Sequence, residues 1–267
     1  GKVRFGKCVI DQEIGRGARS IVYLAMHEGL QIPVAVKVMK KEYGRDEDQF
    51  SERFTREARI AAQLTHTNIV RVYDCGETDE AYYLVLEYIE GESCRDKMEQ
   101  WGAFDWQRAV QIVRAVADGL HYAAKKGIIH RDLKPENIMI DTEGGAHLAD
   151  LGLAKEVLPG ESSTTADGDV LGTPYYMSPE QVRQPSDVDF RSDVYSLGAT
   201  LYHMVTGQVP FEAPTPFEIM TKHLNEPLTP PEKVRPDLPA MLCDIIKRMM
   251  AKDPDDRYES YEELIDD

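Results

Sequence analysis

The chain has 267 residues, enough for one large domain or two small ones, with an extensive core in either case. Hydrophobic residues make up 42% of it and charged residues 29%, which excludes a wholly disordered or fibrous chain. The formal net charge of −16 argues against general affinity for nucleic acid or anionic membranes, because both require clustered positive charge.

Membrane and disulfide signals are missing from the sequence as well. No apolar run approaches the roughly 20 residues of a membrane span, and the start lacks the apolar region of a signal peptide. Because the first residue is Gly1, we expect a fragment of a longer protein. The four cysteines are far apart and form no C-x-x-C pair, which predicts no structural zinc and a reducing, cytoplasmic environment.

The N-terminal third is predicted to be β-rich with one embedded helix. Alternating or continuous apolar residues predict strands at 21–24, 34–38, 69–73 and 82–86. Between the second and third of these, residues 48–64 place apolar side chains on one helical stripe.

From about residue 93 onward the pattern becomes mainly helical. Asp105 is predicted to cap a helix that Gly127 stops. Further helices are predicted over 190–207 and 238–250, a mobile polar loop over 158–169, and a proline-rich irregular segment over 225–239. Together these elements indicate a small β-rich lobe, a joint at residues 87–92 and a larger helical lobe.

A glycine pair stands just before the first predicted strand, in Ile14-Gly15-Arg16-Gly17-Ala18-Arg19-Ser20-Ile21-Val22. Two glycines around one residue let backbone N–H groups approach an anion closely. A plain hairpin turn explains the same residues and, for this motif alone, is favoured. A dinucleotide-binding fold is disfavoured because a strand follows and Ser20 replaces the third glycine.

Lys37 is embedded in the apolar run Val34-Ala35-Val36. Such a lysine is costly unless its ammonium reaches a partner, although a lone lysine more often extends to water. Glu57 lies beside the inward stripe of the predicted helix. A cation and an anion at buried positions on adjacent elements favour an ion pair between them.

A polar loop at residues 130–137 lies between apolar runs at 127–129 and 138–140. A solvated turn does not explain these runs, which we predict to be short buried strands that hold a rigid loop. Further on, Leu148-Ala149-Asp150-Leu151-Gly152 places a carboxylate at the end of a short apolar strand. Alone this last signal is weak, because many strands end in Asp-x-Gly turns.

In this order, the four features resemble the signature set of the eukaryotic-type protein kinases, most of all the bacterial serine/threonine members. The matching positions are Gly15 and Gly17, Lys37, Glu57, residues 130–137, and Asp150-Leu151-Gly152, followed by Gly172-Thr173-Pro174 and by Ser178-Pro179-Glu180 in place of A-P-E. Lys134 and the Gly172-Thr173-Pro174 segment are typical of serine/threonine rather than tyrosine kinases. The resemblance covers essentially the whole chain.

The resemblance implies an α+β, bilobal protein-kinase fold over residues 1–267. A small β-rich N-lobe with one helix would occupy about 1–86, a hinge 87–92, and a larger, mainly α-helical C-lobe 93–267. Asp193 is then expected to accept backbone N–H bonds from the catalytic loop, and Glu180 and Arg257 to form an ion pair. His130 is expected to pack and hydrogen-bond rather than to carry protons.

The resemblance also implies which side chains act in phosphoryl transfer. The catalytic group would be Asp132 as base, Lys134 as neutraliser of the transferring charge, Lys37 on the α- and β-phosphates, Glu57 as its orienting partner, and Thr173 as a selector of Ser or Thr hydroxyls. Mg²⁺, with Mn²⁺ as an alternative, would bind to Asn137 and Asp150.

ATP is the implied cofactor and phosphoryl donor. Its expected contacts are Ile14, Gly15, Arg16, Gly17, Ala18, Arg19, Ser20, Ile21, Val22, Ala35, Lys37, Leu86, Glu87, Ile89, Met139 and Asp150. The adenine is expected to lie between the lobes against the apolar members of this set, with backbone hydrogen bonds from Glu87 and Ile89.

Control by phosphorylation of the loop between Asp150 and Glu180 is a further implication. In such kinases an arginine placed like Arg131 pairs with a phosphorylated loop residue, and Thr164 and Thr165 are the expected acceptors. The alternative is a solvated loop whose hydroxyls have no role, and it stays open.

The implied partners are ATP and proteins with Ser or Thr acceptors, and neither nucleic acid nor a membrane span within these residues. A homodimer that phosphorylates itself in trans and a membrane anchor outside these residues stay open. Two rival functions remain. A pseudokinase usually lacks at least one of Lys37, Glu57, Asp132, Asn137 and Asp150, whereas a small-molecule kinase lacks the segment from Gly172 to Glu180.

Overall fold

The structure is a computed structural model that describes residues 3–17, 20–41, 47–151 and 174–267, with residues 47–50 as backbone only. The described chain divides into two compact units. The first ends at Glu90, and the second begins at Gly91. The predicted loop at 158–169 lies outside the described residues.

The first unit is a six-stranded antiparallel sheet with one helix. Its elements are β1 (Arg4–Phe5), β2 (Cys8–Arg16), β3 (Ser20–His27), β4 (Ile32–Lys40), α1 (Glu47–Ala62), β5 (Val72–Glu77) and β6 (Ala81–Glu87), with the strands in the order β1-β2-β3-β4-β6-β5. The predicted β-rich N-terminal portion with one helix is therefore confirmed.

Alternation along β4 divides its side chains between two cores. Val34 and Val36 pack in one buried cluster, whereas Ala35 packs in the other with Phe54 and Ala58 of α1. Successive side chains of a strand point to opposite faces of the sheet, so Lys37 shares the face of Ala35, which α1 covers. The strand period thus places Lys37 on the helix side of the sheet.

The second unit is mainly helical and carries a small sheet of three strands. Its elements are β7 (Gly91–Ser93), α2 (Cys94–Trp101), α3 (Trp106–Ala124), β8 (Ile138–Asp141), β9 (Ala146–Leu148), α4 (Pro179–Arg183), α5 (Phe190–Thr206), α6 (Pro216–Asn225), α7 (Pro231–Val234), α8 (Ala240–Met249) and α9 (Tyr261–Asp266). Among the described helices, none is long and apolar enough to cross a bilayer.

Helix α5 is the buried centre of the second unit. It is buried from Ser192 to Val205, and it begins and ends at residues that suit helix termini. The carboxylate of Asp189 accepts the N–H of Arg191, and Gly207 closes the helix at φ +74°, a conformation that glycine adopts without strain. The predicted Asp105 cap is also confirmed, since Asp105 accepts the N–H groups of Gln107 and Arg108.

Two predicted strands differ from the structure. The strand predicted at 69–73 begins only at Val72, because the N–H of Ile69 donates to His66 O in a turn. The run at 127–129 is not a strand: Gly127 has φ +76°, and the N–H of Ile128 donates back to Ala123 O. The helix predicted at 238–250 is shorter, Ala240–Met249, because Pro239 precedes its first turn.

Candidate active site

Asp193 of α5 anchors the loop at residues 130–137. Its side chain is buried, and its two oxygens accept the N–H groups of His130 at 2.7 Å and Arg131 at 2.8 Å. Burial raises the pKa of the Asp193 carboxyl, and both N–H donors oppose that shift. Arg131 adopts φ +62°, a strained value for a residue other than glycine, and these bonds hold it there. The predicted role of Asp193 is confirmed.

His130 uses both ring nitrogens inside the fold. Its Nδ1 accepts the N–H of Asp132 at 3.2 Å, so the proton lies on Nε2, which donates to Ala149 O at 3.0 Å. The ring is fully buried. The predicted packing role of His130 is therefore confirmed, and its bonds join Asp132 to the residue that precedes Asp150.

The loop brings Asp132, Lys134 and Asn137 together. Lys134 Nζ lies 3.3 Å from Asp132 Oδ2. Asn137 Nδ2 donates to Asp132 O at 2.7 Å and lies 3.5 Å from Oδ2. Burial alone would lower the pKa of Lys134, but the carboxylates of Asp132, Glu136 and Asp150 outweigh it and raise the pKa. The ammonium therefore stays charged beside the Asp132 carboxylate.

The β8–β9 hairpin connects Asn137 to Asp150. Ile138 pairs with Leu148, and the N–H of Ala149 donates to Asn137 O at 2.8 Å. Asp150 follows at φ +59°, another left-handed residue that is not glycine. The pairing thus fixes the two predicted metal ligands at adjacent ends of one hairpin.

The chemistry of these ligands suits a hard cation. An amide oxygen and a carboxylate are ligands that Mg²⁺ accepts, and Mg²⁺ commonly completes its octahedron with phosphate oxygens and water. Two protein oxygens leave most of that octahedron to phosphate and water, so Asn137 and Asp150 fit an ion that arrives with a nucleotide.

The segment after Pro174 is fastened to this loop and to the C-terminal part of the chain. Gln181 Nε2 donates to Arg131 O at 2.7 Å. Arg257 contacts both carboxylate oxygens of Glu180, at 2.6 and 2.9 Å. The predicted Glu180–Arg257 pair is therefore confirmed, whereas Thr173 lies outside the described residues.

The sequence analysis did not predict the hydrogen bonds that Ser178 and Gln181 form. Ser178 caps α4: its Oγ accepts the N–H of Gln181, while Gln181 Oε1 accepts the N–H of Ser178. Ser178 Oγ also lies 2.7 Å from Ser192 Oγ in the buried helix α5. A serine followed three residues later by glutamine is a capping-box signature, so the sequence did carry this signal.

In the first unit, the glycine pair lies at the β2–β3 hairpin. Gly15 is paired with Val22, and the N–H of Gly17 donates to Ser20 O at 2.8 Å. Arg16 forms an ion pair with Glu13 at 2.6 Å, and Ile14 is exposed. The strand expected after this turn is confirmed as β3. Ala18 and Arg19 lie outside the described residues.

Three of the predicted adenine contacts share one apolar cluster: Ala35 and Leu86 are buried in it, and Val22 packs against it. Four other predicted contacts are half-buried, each within its own unit: Ile21, Glu87, Ile89 and Met139. The N–H of Glu87 donates to Arg71 O at 2.9 Å, so this donor is used at the end of strand β6. The expected nucleotide contacts themselves stay predictions.

Lys37 and Glu57 are each placed by their own element. Lys37 lies on β4, between Val22 of β3 and Leu84 of β6. The Glu57 side chain is largely buried on α1 and lies 2.8 Å from Arg56 Nη2. The ion pair between Lys37 and Glu57 stays a prediction.

Comparison with known proteins gives concordant results. A family model described as the protein kinase domain matches residues 8–266. A probable serine/threonine-protein kinase of Clostridium acetobutylicum is 38% identical over 267 residues, which are 100% of this chain and 40% of the relative. One of Clostridium perfringens is 40% identical over 268 residues, 100% of this chain and 38% of the relative.

A third relative is the serine/threonine-protein kinase PknB of Mycobacterium tuberculosis. It is 39% identical over 255 residues, which cover 94% of this chain and 40% of the relative. The chain thus spans about two fifths of the length of the curated relatives it matches.

Proposed function

The chain belongs to the protein kinase domain family, and from that membership we propose that it transfers the γ-phosphoryl group of ATP to serine and threonine hydroxyls of proteins. The observation that carries the proposal is the loop in which Asp132, Lys134 and Asn137 meet over the buried anchor Asp193. The names of the relatives support the choice of protein Ser and Thr as acceptors.

We assign Asp132 as the group that accepts the proton of the substrate hydroxyl. Its Oδ2 faces Lys134 Nζ, which would neutralise negative charge on the phosphoryl group as it moves. The transferred group needs little covalent help, so positioning and charge dominate the catalysis. Thr173 would hydrogen-bond beside these two residues and favour Ser or Thr acceptors.

Mg²⁺, or Mn²⁺ in its place, would be held by Asn137 and Asp150. The bound ion would neutralise charge on the ATP phosphates. The hairpin that joins these two residues supports the assignment, because it fixes both ligands without a long loop.

The nucleotide contacts follow the same reasoning. Lys37 would bind the α- and β-phosphates, and Glu57 would orient it from α1. The apolar cluster of Val22, Ala35 and Leu86 would receive the adenine, and the glycine pair at the β2–β3 turn would lie over the phosphates. The shared sheet face of Lys37 and Ala35 supports this arrangement.

Incubation of the domain with Mg-ATP, with and without a generic protein substrate, tests the function. We expect radiolabel or a phosphate mass shift on serine and threonine of the protein. Transfer to small molecules alone would favour a small-molecule kinase, and no transfer would favour a pseudokinase. For the variants Asp150→Asn and Asp132→Asn described below, Asp266→Asn is the matched control, because Asp266 is an exposed carboxylate at the C-terminal end of α9.

Asp150→Asn is expected to weaken the binding of Mg-ATP, because a neutral amide replaces a charged metal ligand. The Mg²⁺ concentration that gives half-maximal activity at fixed ATP is expected to rise at least tenfold. The measurement is a Mg²⁺ titration of the phosphorylation rate. A Mg²⁺ dependence equal to that of the unchanged protein would remove Asp150 from the metal site.

We also propose that the domain phosphorylates its own loop at Thr164 or Thr165, by one copy acting on another in a homodimer. Arg131 supports this proposal, because Asp193 accepts its N–H and Gln181 donates to its carbonyl oxygen. These two bonds fix the main chain from which the Arg131 side chain extends. A phosphate brings about −1.5 to −2 charge and can order a loop against a guanidinium.

Mass spectrometry after incubation with Mg-ATP is expected to find phosphate on Thr164 or Thr165. The Thr164→Ala/Thr165→Ala variant is expected to lose most activity toward added substrate, while Ser162→Ala serves as the control. Full activity of the double variant would mean that these hydroxyls have no regulatory role.

A further inference from the structure

We propose that His223 of α6 is a positioning residue for protein substrates, which it serves by fixing the backbone of Tyr175. The proposal rests on the proposed function and adds a determinant of substrate binding to it. His223 lies far from the catalytic loop in sequence, and nothing in the sequence pattern singles it out.

Hydrogen bonds and ring contacts hold the His223 ring. Tyr195 Oη lies 2.8 Å from Nδ1, Tyr175 O lies 3.1 Å from Nε2, and the ring of Phe211 meets the imidazole edge-on at a centroid distance of 4.9 Å. The side chain is fully buried. The ring therefore has one orientation, and both nitrogens are in use.

These contacts determine which nitrogen carries the proton. A carbonyl oxygen can only accept, so Nε2 must donate to Tyr175 O, and Nδ1 then accepts from the Tyr195 hydroxyl. Burial lowers the pKa of His223 to about 3, and the ammonium of Lys252 acts in the same direction. The ring is therefore neutral at assay pH, and its Nε2–H donor is permanent.

The proposed function places Thr173 beside the acceptor hydroxyl of the substrate. Tyr175 comes two residues after Thr173 and lines a cavity of about 450 Å³ together with Arg95 and His203, so we take its main chain as part of the surface that meets the bound protein. Its neighbour Tyr176 is held by a separate bond, from its hydroxyl to His203 Nδ1 at 2.7 Å. Only the His223 bond acts on the main chain of Tyr175 among the described contacts.

Two variants with amide side chains, His223→Gln and His223→Asn, separate the effect of the Nε2–H donor from the effect of losing the rest of the ring. In His223→Gln the amide nitrogen can reach the position of Nε2 and still donate to Tyr175 O. In His223→Asn the shorter side chain reaches only the position of Nδ1, so the donor to Tyr175 O is lost. The two variants therefore differ in the bond to Tyr175 O, which only Gln keeps, and in the acceptor of the Tyr195 hydroxyl, which only Asn keeps.

Steady-state kinetics at pH 7 with a Ser/Thr peptide substrate give the test. We expect His223→Asn to raise the KM for the peptide roughly five- to tenfold, with the KM for ATP and the rate of ATP hydrolysis without peptide unchanged. His223→Gln keeps the donor to Tyr175 O but loses the acceptor of the Tyr195 hydroxyl, so we expect it to raise the peptide KM only two- to threefold. A purely structural role would instead lower every rate together.

The outcomes decide between the possibilities. A peptide KM that stays normal in His223→Asn, or a KM for ATP that rises in parallel, would overturn the proposal. If His223→Asn does not fold by circular dichroism, Tyr195→Phe replaces it: loss of the hydroxyl at Nδ1 is expected to raise the peptide KM two- to threefold, and no rise would overturn the proposal. Absence of transfer by the unchanged protein would reject the proposed function itself.

Discussion

Asp132→Asn is expected to lower the rate of phosphoryl transfer by at least a hundredfold while ATP still binds with nearly unchanged affinity. The variant removes the carboxylate that would accept the substrate proton, and a positioned base contributes roughly 10²–10⁴-fold to a rate. The main-chain bonds of Asp132 to His130 and Asn137 remain in the variant, and asparagine keeps the size of the side chain while it removes the charge beside Lys134. The loss is therefore expected in kcat.

Nucleotide affinity and transfer are measured separately for this variant. A fluorescent ATP analogue or calorimetry reports binding, and radiolabel on a protein substrate reports transfer. Asp266→Asn again controls for the change of an acid to an amide at an exposed position. Near-normal turnover by Asp132→Asn would remove Asp132 from its assigned role, and a parallel loss of ATP binding would show a structural defect instead.

Charged residues at apolar positions gave the most specific predictions of side-chain contacts. An acid among the apolar neighbours of α5 indicated that Asp193 must accept hydrogen bonds, and the structure supplies two backbone donors to it. The pair of Glu180 and Arg257 was implied by the resemblance to protein kinases, and the structure confirms it. Burying a charge is costly without partners, so a charged residue at a buried position predicts the kind of neighbour that it needs.

Short apolar runs were less informative, because burial does not specify a strand. Residues 127–129 and 138–140 were both predicted as short buried strands, yet the first run ends α3 and only the second is a strand. A run of three apolar residues fits a helix end as well as a strand. What decides is the destination of each N–H group, which depends on the three-dimensional neighbours.

The contacts of His223 could not be predicted for a different reason. A histidine on an apolar helix face is usually an ordinary packing residue, and its partners Tyr175 and Tyr195 come from separate segments. No sequence spacing brings these three together. The proton position on the ring, on which the proposal depends, follows only from the geometry of both bonds.

Arg257→Met is expected to destabilise the second unit by about 3–5 kcal/mol, because it leaves the largely buried Glu180 carboxylate without its partner. The side chain of Arg257 is fully buried, and its guanidinium also donates to the carbonyl oxygens of Ala251 and Arg191, each at 2.8 Å. Methionine fills a similar volume but satisfies none of these acceptors. For a chain of this size we expect the melting temperature to fall by roughly 6–20 °C.

The double variant Glu180→Gln/Arg257→Met separates the lost charge pair from the lost packing. Removing the orphaned charge is expected to recover part of the stability, because an unpaired carboxylate accounts for much of the cost of breaking a buried pair. Arg4→Met is the matched control, since the Arg4–Glu28 pair is exposed on both sides and is expected to leave the melting temperature nearly unchanged. A loss in Arg257→Met no greater than in this control, or a double variant less stable than Arg257→Met, would contradict the assignment. Because Glu180 lies on the same short helix as Gln181, which bonds to Arg131 O, we also expect Arg257→Met to loosen the catalytic loop and so to reduce transfer below its melting transition.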